Sequence, residues 1–371
     1  MIGHKHFGSR EGGVEVVVTE LAKRMAALGH EVTCYDRSGS DVMTGDAAET
    51  RERIVDGVRV VPVKTIDKRG LAASSASYYA TKAAIADKPD VIHFHAEGPC
   101  ACLPMAHKAG IRTVATIHGL DWQRAKWGKL GSAYIKHGEK AAAKCADEII
   151  VLSRSAQDYF EQTYNRNTVF IPNGMNPKEY RSADEIKKRW GLEKNSYILF
   201  LGRLVPEKRP ELLIDSFKSI NTTNKRLVIA GGSSDTSEYE RQLHERAKGD
   251  SRILFTGFVT GKPLAELYSN AYCYVLPSDV EGMPMSLLEA MAYGCACVTS
   301  DIPECSDVLA GTGTTFSRGD GSALRDVLAS LLANPANARE LGEKTRMRVV
   351  EYYGWGSVVE RTLRLYEGAN E

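Results

Sequence analysis

The sequence predicts an α/β protein made of two Rossmann-like, doubly wound domains that face each other across a cleft. Strand-like apolar runs alternate with helical patterns along the whole chain, as they do in proteins with parallel sheets. The alternation is interrupted once, by the turn-forming residues Ile-Pro-Asn-Gly-Met-Asn-Pro at 171–177. The chain has 371 residues, which is enough for two domains that each bury a core of their own.

The elements of one domain precede this interruption. Its predicted strands are 1–3, 31–35, 58–63, 91–94, 113–117 and 148–152, and its predicted helices are 14–28, 74–86 and 133–143. The first strand has only about three residues, where a strand usually has about five or six. Either the start codon is internal to a longer natural chain or the first strand is short.

A second set of elements follows the interruption. Its predicted strands are 197–201, 226–230, 253–255, 273–276 and 297–299, and its predicted helices are 211–220, the segment between Pro284 and Gly294, 323–332 and 355–367. We therefore predict an N-terminal domain at 1–171 and a C-terminal domain at 178–350. The remaining residues, 351–371, are predicted to form a helix that packs back on the N-terminal domain.

Charge, cysteine content and hydropathy exclude several classes of protein. The formal net charge of +1 and a pI near 7.6 argue against a general nucleic-acid binder. The eight cysteines form no C-x-x-C pair, and the C-x-C pairs are too tight for usual zinc spacing, which favours buried, reduced thiols in a cytosolic protein. No run approaches the ~20 apolar residues of a membrane span. We expect a cytoplasmic protein that is able to touch the inner face of the membrane as a peripheral protein.

Two glutamates, eight residues apart, lie in the stretch 278–289. Pro284 and Gly294 are typical of the entry and the end of a helix, so Glu281 is expected to precede this helix and Glu289 to project from its second turn. The N-terminus of a helix offers unpaired N–H groups to an anion, and the flanking carboxylates suit the hydroxyls of a polyol. Two solvated surface glutamates would produce the same pattern, since short motifs recur by chance.

Two glycine-containing turns are candidate phosphate sites. Gly12 and Gly13 precede the first helix and allow backbone N–H groups to approach a phosphate, although the sequence is not the G-x-G-x-x-G of a dinucleotide site. In the second domain, Gly202 ends a strand and is followed by Arg203 and Lys208, two cations that suit a diphosphate. A glycine turn without ligand and ordinary surface cations are the alternatives. Ordinary surface cations are the weaker explanation for Arg203 and Lys208, because Glu281 and Glu289 fall at a strand end of the same domain.

Three histidines lie at predicted strand ends. His118 is followed by Gly119 after the strand 113–117, on the side of the sheet where doubly wound proteins bind ligands. A purely structural histidine is the alternative. His93 and His95 resemble a metal-binding pair, but no third ligand follows at the usual spacing. We therefore predict a hydrogen-bonding role for this pair and no metal site.

Residues 122–144 form a basic segment with interleaved aromatic residues. The segment has six Lys and Arg residues against one acid, Glu139, in a chain that is otherwise balanced. Such a pattern suits contact with anionic lipid or with a pyrophosphate-bearing acceptor. A solvated helix face with two buried tryptophans explains the pattern equally well.

In this order, and over nearly the whole chain, the motifs resemble those of the retaining glycosyltransferases of GT-B fold, in particular family 4. The stretches 4–15 and 118–128 look most like the bacterial branch that acts on capsular, O-antigen or similar cell-surface glycans, which includes rhamnosyltransferases. The resemblance implies that the N-terminal domain binds the acceptor and the C-terminal domain binds a nucleotide-sugar.

The resemblance also implies a role for each motif. Arg203 and Lys208 would neutralise the diphosphate, and His118 would contact the transferred sugar. Glu281 would hold sugar hydroxyls, and Glu289 the ribose diol. The other donor-binding candidates, several of which act through backbone groups, are Gly12, Gly13, Gly202, Val259, Gly282, Met283 and Pro284. The weaker candidates for an acceptor or membrane surface are Arg10, Trp122, Arg124, Lys126 and Trp127.

The expected function is retaining, metal-independent transfer of a sugar from a nucleotide-diphosphate donor to a glycan or polyprenyl-linked acceptor. A UDP-sugar is the first choice of donor and dTDP-rhamnose the second, and no cofactor is expected. No carboxylate is placed to act as a nucleophile, which favours front-face substitution assisted by the departing phosphate oxygen. The alternatives are a sugar-nucleotide epimerase on a related fold and a non-catalytic nucleotide-sugar-binding protein.

Overall fold

The computed structural model describes residues 1–9, 12–38, 51–66, 68, 71–123, 128–222, 224–232 and 237–368. The chain divides into two compact units. The first unit comprises Met1–Gly174 together with Trp355–Glu371, and the second comprises Met175–Gly354. The first division falls inside the predicted 171–177 linker, and the chain returns to the first unit at Trp355 rather than at the predicted residue 351.

Helices and strands alternate in both units, as the sequence predicts. The part of the first unit before the linker contains α1 Gly13–Ala27, β1 Thr33–Arg37, β2 Arg53–Val55, β3 Val58–Val63, α2 Ala72–Asp87, β4 Val91–His95, α3 Glu97–Cys100, α4 Leu103–Lys108, β5 Arg112–Ile117, α5 Lys129–Cys145, β6 Glu148–Val151, α6 Arg154–Tyr164 and β7 Val169–Phe170. The second unit contains α7 Glu185–Trp190, β8 Tyr197–Leu201, α8 Pro210–Lys218, β9 Arg226–Ala230, α9 Ser237–Ala247, β10 Ile253–Gly257, α10 Gly261–Asn270, β11 Cys273–Leu276, α11 Met285–Ala292, β12 Ala296–Ser300, α12 Pro303–Leu309, β13 Thr314–Phe316, α13 Gly321–Ala333 and α14 Pro335–Tyr352. The last helix, α15 Trp355–Glu367, belongs to the first unit.

The second unit is built around a six-stranded sheet. Its strand order is β10-β9-β8-β11-β12-β13, and all neighbouring strands are parallel. Counted along the unit, this is the order 3-2-1-4-5-6 of a doubly wound fold, in which the order reverses between the first and fourth strands. Ligands of such sheets bind beyond the carboxyl ends of the two strands at that switch point, which here are β8 and β11.

The first unit has the same winding, and its two sheets meet at the N-terminus of the chain. One sheet has the order β1-β3-β2 and the other β4-β5-β6-β7. Ile2 bridges Phe94 of β4, and its N–H and C=O bond His93 O and His95 N at 2.9 and 2.8 Å. Tyr35 N on β1 donates to Met1 O at 3.2 Å on the other side. The predicted first strand at 1–3 is thus a single bridge that still occupies the strand position between β1 and β4.

The terminal helix α15 packs against α1 and β5 of the first unit. The guanidinium of Arg24 lies 5.3 Å from the centre of the Trp355 ring. Arg112 donates to Leu365 O at 2.8 Å, and Arg361 donates to Phe170 O at the same distance. Nothing in the described part of the chain is a helix long and apolar enough to cross a bilayer.

Candidate active site

Two loops lie side by side at the switch point of the second unit. One follows β8 and contains the short 3-10 turn Pro206–Lys208 before α8 begins, and the other connects β11 with α11. The N–H of Asp279 in the second loop donates to the carbonyl of Glu207 in the first at 2.8 Å. This backbone bond holds the two loops together where a doubly wound sheet receives its ligand.

Lys208 and Glu281 form an ion pair between these loops. The Lys208 Nζ lies 2.6 Å from Glu281 Oε1, and the two side chains are 13% and 9% exposed. Ser278 donates its hydroxyl to the same carboxylate oxygen at 2.7 Å. An ion pair this deeply buried is held in one geometry, so both charges have fixed positions before any ligand arrives. The sequence indicated each residue separately but did not indicate that they touch.

Glycines at the ends of β8 and β9 make room for the lysine stem. A Cβ on Gly231 would lie 1.9 Å from Gly202 O, and Gly231 has a φ of +137°, so no other residue fits there without a shift of the backbone. A Cβ on Gly202 would lie 3.1 Å from Lys208 Cδ. Arg203 follows directly and is half-buried. The close approach of the two strand ends therefore determines where Lys208 lies.

The loop after β11 leads into α11 as the sequence predicts. Gly282, Met283 and Pro284 are buried, and α11 begins at the next residue. Glu289 lies in the second turn, and Tyr268 donates its hydroxyl to Glu289 Oε2 at 3.3 Å. Burial, and after it the nearby Glu289 carboxylate, raises the pKa of Tyr268 well above its ordinary value, so this phenol remains a donor.

Val259 lies further along the same edge of the sheet. It follows β10, which is separated from β8 by β9, and it is half-buried. The neighbouring Phe258 is 52% exposed and packs over Gly232, where a Cβ would lie 2.7 Å from the ring. Val259 therefore lies two strands away from the loop that carries Lys208, at the carboxyl end of the same parallel sheet.

In the first unit, Gly12 and Gly13 lie at the start of α1, and side chains of this helix hold the backbone at Lys5 and Gly8. Gly12 is the N-cap in an extended conformation, and no side chain in the described residues caps the helix. Glu15 accepts the N–H of Lys5 at 3.1 Å, and Thr19 accepts the N–H of Gly8 at 3.0 Å. The loop before α1 is therefore fixed by side chains of the helix that it precedes.

His118 lies at the end of β5 and contacts a second histidine. His95 Nδ1 and His118 Nε2 are 3.1 Å apart, while His93 stacks on His95 with ring centres 4.1 Å apart. His93 also bonds the hydroxyls of Thr116 and Tyr366, both at 2.7 Å. Burial lowers the pKa of His93 and of His95 well below the ordinary value, so both rings are neutral. The predicted hydrogen-bonding role of this pair thus has identified partners.

Of the weaker acceptor candidates, only Trp122 lies within the described residues; Arg10, Arg124, Lys126 and Trp127 lie outside them. Trp122 is half-buried and donates its indole N–H to Glu139 Oε2 at 3.0 Å. The Lys136 ammonium lies 3.9 Å from the centre of the Trp122 ring. The exposed face of α5 carries Lys129, Leu130, Ala133, His137, Lys140 and Lys144.

The structure brings some of the predicted residues together within each unit. In the second unit, the loops at the switch point carry Gly202, Arg203, Lys208, Glu281, Gly282, Met283, Pro284 and, one helical turn further, Glu289. Sequence reasoning did not identify Ser278 or Tyr268, and it did not predict that His95 contacts His118. It also missed that two glutamates near Trp122, Glu97 and Glu139, are fully buried. Within the described ranges, no three His, Cys, Asp or Glu side chains are grouped so that they could hold a metal ion.

Comparisons with known proteins agree with this geometry. Residues 11–179 match the Glycosyltransferase Family 4 model, and residues 182–348 match the Glycosyl transferases group 1 model. A GDP-mannose-dependent alpha-(1-6)-phosphatidylinositol monomannoside mannosyltransferase from Mycolicibacterium smegmatis is 25% identical over 98% of this chain and 97% of its own.

Two solved structures illustrate the likeness of fold. Sucrose-phosphate synthase from Thermosynechococcus elongatus has a TM-score of 0.83 and 23% identity, over 99% of this chain and 95% of its own. HepE from Anabaena, solved in complex with UDP and glucose, has a TM-score of 0.79 and 14% identity, over 98% of both chains. The prediction of two α/β domains with parallel sheets is therefore confirmed, and their fold matches that of GT-B glycosyltransferases.

Proposed function

Because this chain is a group 1, family 4 glycosyltransferase, we propose that it transfers a sugar from a nucleoside-diphosphate donor with retention of anomeric configuration and without a metal ion. The observation that carries this proposal is the buried pair of Lys208 and Glu281 at the switch point of the second unit. Cleavage of the donor leaves a nucleoside diphosphate, whose developing negative charge must be stabilised. Fixed cations beside a helix N-terminus supply this stabilisation without reorganisation.

We assign the diphosphate to Lys208 and Arg203 and the sugar to the loop that precedes α11. Glu281 accepts hydrogen bonds from Lys208 Nζ and Ser278 Oγ. We assign its carboxylate to sugar hydroxyls, while the pairing with Lys208 keeps that lysine near the leaving oxygen. The ribose diol is assigned to Glu289, and the base to backbone groups around Val259.

The reaction we propose is a front-face substitution. The bond from the anomeric carbon to the diphosphate oxygen breaks as the acceptor oxygen forms its bond on the same face. The acceptor proton goes to the departing phosphate oxygen, and the products are the glycoside and the nucleoside diphosphate. His118, held by His95, is assigned to the transferred sugar from the side of the first unit.

As donor we propose a UDP-sugar as the first choice and dTDP-rhamnose as the second. As acceptor we propose a glycan or a polyprenyl-linked molecule of bacterial cell-surface polysaccharide synthesis. The UDP and glucose bound by HepE support the choice of base, and the lipid-linked acceptor in the name of the mannosyltransferase relative supports a lipid-linked acceptor here. We propose no cofactor, and a cytoplasmic location at the inner face of the membrane.

A nucleotide-release assay tests the proposed reaction. The enzyme is incubated with UDP-, GDP-, dTDP- and ADP-sugars, with and without polyprenyl-phosphate and glycan acceptors, in the presence of a chelator. Acceptor-dependent release of a nucleoside diphosphate that survives the chelator is the expected result. Release abolished by the chelator contradicts metal independence, whereas binding without release favours a non-catalytic nucleotide-sugar-binding protein. A new nucleotide-sugar without any release favours the epimerase.

Removal of Lys140 and Lys144, two of the three lysines on the exposed face of α5, should weaken binding to anionic membranes. Each lysine near an anionic surface contributes about 1 kcal/mol, so Lys140→Ala/Lys144→Ala should lower affinity for vesicles with anionic lipid by about 30-fold. Vesicle sedimentation at two salt concentrations measures this. The matched control is Lys187→Ala/Lys188→Ala, which removes two exposed lysines from α7 of the second unit. Equal binding of wild type to anionic and neutral vesicles would exclude this surface.

A further inference from the structure

Two glutamates outside the proposed donor site are fully buried next to each other in the first unit. Glu97 begins α3 and Glu139 lies in α5, and both have 0% relative exposure. The helices touch at Gly138, where a Cβ would lie 1.9 Å from Glu97 O. This contact brings the carboxyl group of Glu139 close to that of Glu97, whose Oε1 is buried without a hydrogen-bond partner among the described residues.

Glu139 accepts hydrogen bonds from three side chains. Trp122 Nε1 donates to Oε2 at 3.0 Å, and Tyr159 Oη donates to Oε1 at 2.7 Å. Tyr164 donates its hydroxyl to the same Oε1. Lys136 Nζ lies 3.9 Å from that oxygen and bonds Tyr159 Oη at 3.0 Å. Donors on every side and a nearby ammonium are the environment of a carboxylate rather than of a carboxylic acid.

Glu97 has the opposite environment. Its Oε2 accepts the backbone N–H of Asp121 at 2.8 Å, and its partner Glu139 can only accept. Burial, and after it the nearby carboxyls of Glu139 and Asp121, raises the pKa of Glu97 well above its ordinary value. The raised pKa, together with an Oε1 that is buried without a described partner, makes Glu97 the member of the pair that we infer to keep its proton.

The pair lies where the end of β4 holds the segment after β5. His95, the last residue of β4, bonds His118, and Glu97, two residues later, bonds the backbone of Asp121. Ala96 between them has a φ of +72° and donates its N–H to Thr116 O at 2.9 Å. A non-glycine residue in this conformation is held by its surroundings at a cost of about 1–3 kcal/mol, which is typical of functional segments.

We propose that Glu97 and Glu139 are positioning residues for acceptor transfer: Glu97 holds the backbone of Asp121 and Glu139 holds the ring of Trp122, so together they fix the 121–122 segment that follows His118. This inference rests on the proposed transferase function of the chain. Neither glutamate touches the donor loops of the second unit. Their loss should therefore affect the use of the acceptor and leave nucleotide binding by the second unit intact.

The same isosteric substitution in each glutamate tests this proposal. In Glu97→Gln the amide N–H donates to Glu139 and the amide oxygen accepts from Asp121 N, so activity should stay close to that of the wild type. In Glu139→Gln the amide cannot replace a carboxylate that accepts from three donors, and kcat/KM for the acceptor should fall at least about tenfold. In Glu97→Ala, kcat/KM for the acceptor should fall by a similar factor, while the KM for the donor should not change. At position 97, only glutamine should restore the activity that alanine loses.

Hydrogen exchange of the 118–123 backbone provides a readout that does not depend on activity. Asp121 N–H has two acceptors, Glu97 Oε2 at 2.8 Å and Gly119 O at 2.9 Å. Loss of the first should accelerate exchange of that amide by up to about tenfold in Glu97→Ala, but not in Glu97→Gln. Unchanged exchange and unchanged acceptor kinetics in Glu97→Ala would overturn the proposal, as would equal effects of glutamine at 97 and 139. If the wild type transfers no sugar from any donor, the proposed function fails, while the exchange result still decides whether the pair fixes this segment.

Discussion

Replacement of Lys208 by alanine should lower kcat for sugar transfer by about 10²- to 10³-fold, as removal of a single transition-state charge partner does in other enzymes. The lysine ammonium is the cation whose position the structure fixes most firmly, because Glu281 lies 2.6 Å away and both side chains are nearly buried. A nucleoside diphosphate gains negative charge as it departs, so the effect should appear in kcat more than in the KM for the donor. Rapid-quench measurement of nucleotide release at saturating donor gives this number.

The same replacement should also destabilise the second unit, and the two effects need separate measurements. Removal of one member of a buried ion pair leaves an uncompensated charge and typically costs about 3 kcal/mol. Lys208→Met/Glu281→Gln removes both charges, so it should recover most of the stability and none of the activity. If the double variant recovered turnover together with its melting temperature, the role of Lys208 would be structural only.

A matched control is available in the same unit. Lys187 forms an ion pair with Glu193 at 2.8 Å, but these side chains are 63% and 64% exposed. An exposed pair contributes at most about 1 kcal/mol, so Lys187→Ala should leave both turnover and unfolding close to wild type. A large loss of activity in this control would mean that the assay reports net charge rather than the site.

The sequence predicts the donor loops better than their arrangement. It places Lys208 and Glu281 after two different strands of one domain, and both strands are where they are predicted. The sequence does not contain the strand order in readable form. The order 3-2-1-4-5-6 makes β8 and β11 neighbours and so brings an amine and a carboxylate, 73 residues apart, into contact.

The buried carboxyl pair could not be predicted for a different reason. Glu139 is the single acid of the basic segment 122–144, which suggests a solvated helix face. Its burial results from the contact between α5 and α3, and α3 has only four residues, too few for any helical periodicity to appear. An acid three residues after Lys136 is the ordinary i, i+3 pairing of an exposed helix, so no pattern in the sequence marks this burial. The short helix α4 was missed for the same lack of periodicity.

The pH dependence of unfolding should differ between wild type and Glu97→Gln by about 1.4 kcal/mol per pH unit above pH ~5. The native wild type keeps a proton on Glu97, because its pKa is raised, whereas the unfolded chain loses that proton at the ordinary value of a glutamate. A native state that binds one more proton than the unfolded state loses stability as the pH rises. The contribution of this group to stability is therefore largest below the unfolded pKa and declines from there up to the raised native pKa.

Glutamine at position 97 does not bind or release a proton. The free energy of unfolding of Glu97→Gln therefore lacks this decline with rising pH. Between pH 6 and pH 8 the variant should gain about 2.7 kcal/mol relative to wild type, measured as denaturant unfolding of the first unit by tryptophan fluorescence. Both proteins contain the other groups that face Glu97, so the effects of these groups on the free energy of unfolding largely cancel in the comparison. These groups are Glu139, Asp121, Cys100 and Lys136.

The control is Glu161→Gln, which makes the same substitution at an exposed position on α6 of the same unit and should show no such divergence. If wild type and Glu97→Gln run parallel from pH 6 to pH 8, Glu97 is ionised in the native protein. Two adjacent buried charges would then face each other, and the asymmetry between positions 97 and 139 would disappear. If they diverge as expected, the proton resides on Glu97 throughout the neutral range, and Glu139 remains a carboxylate that holds Trp122 in place for the acceptor.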